Sequence, residues 1–410
     1  MTESTNPEGI ERDAGPVSGE YTTGRPVAIV GAGQTAYGEF PEQTIADLFA
    51  DAFTRMSESV DKNMHSTEID AAYIGSLGVG GFQLGISSAL LTTAVGLPRI
   101  PTRRVENACA SGGFALLDAV HAVASGQHDA VLASGVEKMS DLSGDRTKYW
   151  LGVSGDTEYE RLAGMTFAGV YALMAQRYLA DTDADKEHLS RVAVKNHANG
   201  ALNDRAQFQR EISLSRAMDA PEIAAPLGLF DACPMSDGAA CVLVVPAEEA
   251  HHYTDQPIYV TGAAGGSDDL ALHNRDTITG LPAVQSAAEQ AFDQANKSPA
   301  DVDHAEVHDC FTIAELLAYE DLGFVPRGEG WTLLEDGVTE RDGALPVNTS
   351  GGLKAKGHPL GATGIGQTVE VFKQLRGEAG DRQVDTNISL SHNVGGSGGA
   401  ASVFIYEVEA

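Results

Sequence analysis

A chain of 410 residues, 42% of them hydrophobic, is long enough to bury two sizeable cores, and it has no apolar run near the roughly 18 to 20 residues that cross a bilayer. Its formal net charge of −31, from 58 acidic against 27 basic residues, makes nucleic acid and anionic membrane poor partners for the bulk surface. The 4 cysteines are scattered and contain no CxxC pair, which argues against structural zinc and against a disulfide framework.

Free thiols predict a reducing, cytoplasmic setting. Dispersed acids with few lysines predict a halophilic one, because salt screens their self-repulsion. Residues 1–25 read as a disordered acidic tail without the basic-then-apolar pattern of a signal peptide. "PVAIVGAGQTAYG" (26–38) then predicts a strand and a glycine turn, "TIADLFADAFTRMSESV" (44–60) an amphipathic helix, and "IDAAYIGSL" (69–77) a second strand. In "ENACASGGFALLDAV" (106–120), Cys109 stands among the smallest residues at a helix start. The helix dipole and free N–H groups there favour a thiolate, and the small neighbours leave room for a substrate; a cysteine that merely packs is the competing reading. "HDAVLASGV" (128–136) is a further strand. An insertion between Glu137 and about Pro226 carries helical patterns, "AGVYALMAQRYLA" and "EHLSRVAVKNHANGALN", placed where a lid over a crevice would lie. "GAACVLVVP" (238–246) closes this half as a strand.

The second half repeats the first. "PIYVTGAAGGS" (257–267) is a strand with a glycine turn, "LPAVQSAAEQAFDQAN" (281–296) an amphipathic helix, and "VDHAEVHDC" (302–310) a strand ending in His308 and Cys310. Two residues apart on extended backbone, these two point the same way. "SGGLKAKGHPLGATGIGQTVEVFKQLRG" (350–377) holds His358 between Gly357 and Pro359, in a loop whose glycines and proline restrict it to a defined shape. A histidine held so rigidly suits a base or an oxyanion donor. "DTNISLSHNV" and "GAASVFIYEV" close the half, with His392 and Asn393 before a glycine run whose N–H groups can hold an oxyanion. Alternating strands and helices predict an α/β sheet in each half. The chain divides into the tail 1–25, a first half 26–137 plus 226–250, an inserted loop or lid domain 138–225, and a second half 256–410.

From Pro26 to the C-terminus the chain resembles the thiolase family, on "GHPLGATG", the Cys109 stretch and the glycine-rich C-terminal turn. "HDCF" at 308–311 and "HNVGG" at 392–396 replace the more usual Asn-Glu-Ala-Phe and Cys-x-Gly motifs, which looks like the sterol-carrier-protein-type and archaeal branch. The resemblance implies two similar βαβαβαββ halves in a five-layered αβαβα sandwich with an inserted loop domain. It implies an acyltransferase that condenses two acyl-CoA molecules, acetyl-CoA to acetoacetyl-CoA, or runs the reverse thiolysis. Cys109 is then the acyl-carrying nucleophile activated by His358, Cys310 the proton-abstracting thiol, and His308 with His358 the enolate donors; His392 is a further catalytic candidate, standing where other thiolases have their second cysteine, and either positions Cys310, takes over proton transfer or only shapes the wall. Coenzyme A is a substrate, with no permanently bound cofactor and no metal. A homodimer or homotetramer is implied, with a small OB-fold, zinc-ribbon-containing protein as a possible partner in isoprenoid or polyhydroxyalkanoate precursor synthesis. A 3-ketoacyl or hydroxymethylglutaryl-CoA synthase-like condensing enzyme is the rival reading. Arg146, Lys148, Arg191, Lys195, Lys354 and Lys356 are candidate contacts for the CoA phosphates.

Overall fold

The computed structural model describes residues 24–408 apart from 63, 82 and 98, so nearly all of the tail read at 1–25 lies outside the described residues. Strand β1 (Val27–Gln34) is buried along its length. Helix α1 (Ile45–Glu58) follows it. Thr44 and Asp47 cap α1 reciprocally, and its apolar stripe, Leu48, Phe49, Ala52, Phe53 and Met56, is buried. Next come β2 (Ala71–Gly75), β3 (Thr102–Val105), α2 (Ser111–Ala124) and β4 (Val131–Glu137). Edge strand β3 lacks a clear sequence signal: its TRRV is short and two of its four residues are arginine.

The insertion contributes α3 (Phe167–Asp181) and α4 (Lys186–Ala201) before β5 (Gly238–Pro246). The second half runs β6 (Ile258–Ser267), α5 (Pro282–Ala295), β7 (His304–Glu306), α6 (Thr312–Asp321), α7 (Gly352–Lys356), α8 (Thr363–Leu375), β8 (Ile388–Gly395) and β9 (Ala400–Glu407). Val170, Tyr171, Met174 and Leu189 of the insertion share one apolar core with α5 and α6.

The strands lie in the order β3-β2-β4-β5-β1-β6-β9-β8-β7. The first half contributes 3-2-4-5-1 and the second the mirror image of the last four of these, and the halves join edge to edge where β1 meets β6 through three antiparallel residue pairs. Val347, bridged to Ala305, stands where the second half lacks its outermost strand.

Helix α1 covers one outer face and α5 the other. Helices α2 and α8 lie between the two arms of the sheet, each touching strands of both halves. The result is the αβαβα layering. Both faces of a middle helix are covered: α8 is buried at 12 of its 13 positions, with Gln367, Glu370 and Gln374 among them. The starts of α2 and α8, one per half, therefore meet at the centre.

Candidate active site

The two helix starts approach more closely than side chains allow. The Gly361 carbonyl oxygen lies where a Cβ on Gly135 would be 1.9 Å away and one on Gly112 2.6 Å away. A buried carboxylate, Glu137 at the end of β4, fastens the junction. It accepts the N–H groups of Leu77, Gly78 and Val79 from its own half and of Gly361 from the other.

Cys109 sits in the turn before α2, after Ala108, whose φ of +50° is left-handed for a residue with a side chain. Glu106 and Ser111 hold this turn by accepting the Ala108 and Asn107 N–H groups. His358 follows α7. Its backbone N–H donates to Ser236 Oγ at 2.9 Å, and its Nδ1 lies 2.7 Å from Thr363 Oγ1, which itself donates to the Pro359 carbonyl. His358 Nε2 has no partner and is buried.

His308 and Cys310 lie in the loop between β7 and α6, beyond the end of the strand itself. The His308 ring stands nearly perpendicular to that of His358, centroids 5.1 Å apart. One ligand atom each of Cys109, His308 and His358 falls within 4.8 Å of the others. Asn393 Nδ2 lies 3.0 Å from His308 Nδ1, and His308 Nε2 is buried without a partner. Cys310 does not join the trio at that spacing; its sulfur interacts with the Tyr171 hydroxyl and feels Cys109 and Cys233. His392 stands behind His308, its Nδ1 accepting the His308 backbone N–H at 3.4 Å.

The electrostatics correct one expectation. Burial pushes the Cys109 thiol up, and the charges of Cys233 and Glu137 add to the rise. Only the Gly396 N–H and its own N–H pull it back. The helix start therefore does not produce a resting thiolate, because loss of water outweighs the dipole. Burial raises Cys310 well above its usual range too. His358 and His392 are pushed down to about 3, and His308 well below its usual value by burial and its histidine neighbours. The site thus holds neutral thiols beside neutral imidazoles. Asp309, pushed up to about 7 by burial and by Glu315, accepts the Leu353 and Lys354 N–H groups and ties the His308 loop to α7.

Two of the candidate phosphate contacts fall away. Lys195 and Lys356 are fully buried, 2.8 Å from Glu315 and 3.6 Å from Glu306. Sequence reading missed a cluster at the C-terminal end of the insertion and the segment after it. Exposed Arg210 and Arg216 stack on Phe208 and Phe230, each with the guanidinium 5.6 Å from the ring centre. Lys354 lies behind the same two rings and beside Cys233, which neighbours both Cys109 and Cys310. The arginine-rich run "RAQFQREISLSR" (205–216) was the available signal.

Residues 27–225 match the family model described as thiolase, N-terminal domain, and residues 264–408 the one described as thiolase C-terminal domain-like. An acetyl-CoA acetyltransferase of Methanothermobacter thermautotrophicus is 47% identical over 93% of this chain and 99% of its own length. Sterol carrier protein 2 of Homo sapiens is 32% identical over 95% of this chain and 73% of its own length. Among solved structures, an Ltp2-ChsH2(DUF35) aldolase superposes with a TM-score of 0.81 at 26% identity, over 94% of this chain and 98% of the other.

Proposed function

This chain belongs to the thiolase family and is an acyltransferase of the thiolase type; on that premise we propose that it joins two acetyl-CoA molecules into acetoacetyl-CoA and cleaves that product with free CoA. The observation that carries the assignment of roles is the convergence of Cys109, His308 and His358 within 4.8 Å at the junction of the halves.

His358 Nε2 takes the Cys109 proton as the sulfur attacks the first thioester. The tetrahedral oxygen accepts from the N–H groups of Cys109 and Gly396, the two that face the sulfur. The donor from the C-terminal glycine run is thus Gly396, the first residue beyond β8. Cys310 gives its proton to the departing CoA sulfur and is left as a thiolate. It then removes a proton from the methyl carbon of the second acetyl-CoA. The enolate oxygen accepts from His308 Nε2–H and from the proton His358 still carries. The enolate carbon attacks the acyl group on Cys109, and the released Cys109 sulfur recovers its proton from His358. Both thiols and both imidazoles return to their starting states.

Arg210 and Arg216 on their phenylalanines suit the phosphates and adenine of CoA, with buried Lys354 behind the rings. They supply local positive charge on a protein of net charge −31. A second reading, favoured by the likeness to the Ltp2-ChsH2(DUF35) structure, makes the chain the catalytic subunit of a complex with a small partner protein.

The deciding experiment is thiolysis and condensation kinetics across acyl lengths. Acetoacetyl-CoA cleavage by CoA at thiolase rates is expected, lost in Cys109→Ala and Cys310→Ala. Fast turnover only with longer 3-ketoacyl-CoA would overturn the acetyl assignment. Activity appearing only with a co-purified small protein would favour the second reading.

A further inference from the structure

His308 must present a particular nitrogen, and nothing in its own loop decides which. Its ring is neutral, so only one nitrogen carries hydrogen. Nε2 is buried without a partner, and Nδ1 faces Asn393. The Asn393 amide is held from its other side. The Gly113 N–H, an unpaired donor in the first turn of α2, points at Oδ1 at 3.3 Å. A backbone N–H can only donate, so the amide oxygen must face it. The amide nitrogen then faces His308, and its hydrogen requires a bare Nδ1. Turning the amide over would set donor against donor at the Gly113 end. Two glycines make the seat: a Cβ on Gly364 would be 2.4 Å from Oδ1, and one on Gly113 3.1 Å. One belongs to α2 and the other to α8, so both halves fix this side chain.

We propose that Asn393 is a positioning residue that locks His308 as an Nε2–H donor, and so makes the Cys109–His308–His358 trio an oxyanion site instead of a metal site. The spacing alone suits a metal, but a metal needs a lone pair on each imidazole nitrogen it meets. With Asn393 in place, His308 offers a hydrogen there. Carboxylate-bound histidines behave in the opposite way. The carboxylate takes the Nδ1 hydrogen and frees Nε2 for a cation.

The inference rests on the enolate-donor role given to His308 above, and the test separates the two. Asn393→Asp should reverse the ring. Its condensation kcat should fall about 10²–10³-fold, the loss typical of one oxyanion donor, with KM little changed. Exchange of label between acetyl-CoA and CoA, which needs Cys109, His358 and Cys310 but no enolate donor, should stay within a few-fold of the parent. Added zinc should inhibit exchange by Asn393→Asp at concentrations at least tenfold lower than for the parent. Nitrogen NMR of histidine-labelled protein, with His308 identified by the signal missing from His308→Asn, should give Nε2–H in the parent and Nδ1–H in the variant. Nδ1–H in the parent, or equal zinc sensitivity of the two proteins, overturns the proposal. Reversal of the ring with condensation intact would leave Asn393 its positioning role and refute the donor role of His308. If Asn393→Asp does not fold, Asn393→Ala and the parent spectrum decide. The alanine variant should show both ring forms and a loss of at least tenfold in condensation. A single form with full rate overturns the lock.

Discussion

The hydroxyl of Thr363 has one proton to give, and the Pro359 carbonyl takes it. Its oxygen must then accept the Nδ1 hydrogen of His358, which leaves the buried Nε2 bare. The imidazole is thereby set as a base before any substrate arrives. Thr363→Val keeps the shape but removes the acceptor, and acetyl-CoA/CoA exchange should slow about tenfold or more, with Thr363→Ser restoring it; an unchanged rate in the valine variant would show that the loop backbone alone orients the ring. The sequence marked Cys109, His308, Cys310 and His358 as candidates because each is a chemically active residue beside glycines or at a strand end, a local pattern. Asn393 and Thr363 were harder to see. They act through partners, and the partner of Asn393 is 280 positions away.

At the scale of elements, the site is a consequence of two helices starting at one point. Glycines 75, 112, 135 and 361 let backbone meet backbone there: a Cβ on Gly361 would be 2.5 Å from the Gly75 carbonyl. The internal repeat made this pairing legible, since Cys109 and His358 precede matching helices of the two halves. The periodic helices α1 and α5 and the long apolar strands were equally readable, because burial of one face or both imposes a pattern. Strand β3 was not, being four residues long and only partly buried. Nor did any local signal show that Glu137 would bind four N–H groups from both halves; an acidic residue ending a strand reads as an ordinary surface group.

For the molecule as a whole, burial of histidine makes stability depend on pH. His197 and His304 are pushed down to about 4, and His358 and His392 to about 3, all by burial. The unfolded chain binds these protons near pH 6.5, and the folded one does not until pH 4 or below. Stability is therefore fully present above about pH 6.5 and is lost as pH falls through that window, by about 1.4 kcal/mol per pH unit for each histidine. Buried Asp309 and Asp321, raised to about 7 and about 6, act in the opposite sense and offset part of this loss. Urea denaturation at fixed high salt, where the −31 charge is screened, should show a smaller drop in midpoint from pH 7 to pH 5 once His304 is replaced by Asn, and an unchanged pH profile in His304→Asn would contradict the burial described. The architecture exists to close that dry junction around one sulfur, and the whole account depends on acyl transfer to it. The most direct measurement is to mix the protein with acetyl-CoA alone, quench in acid, digest and weigh the peptides. The peptide bearing Cys109 should carry one acetyl group, absent from Cys109→Ala. An acetyl group on another residue, or none at all while thiolysis proceeds, would contradict it.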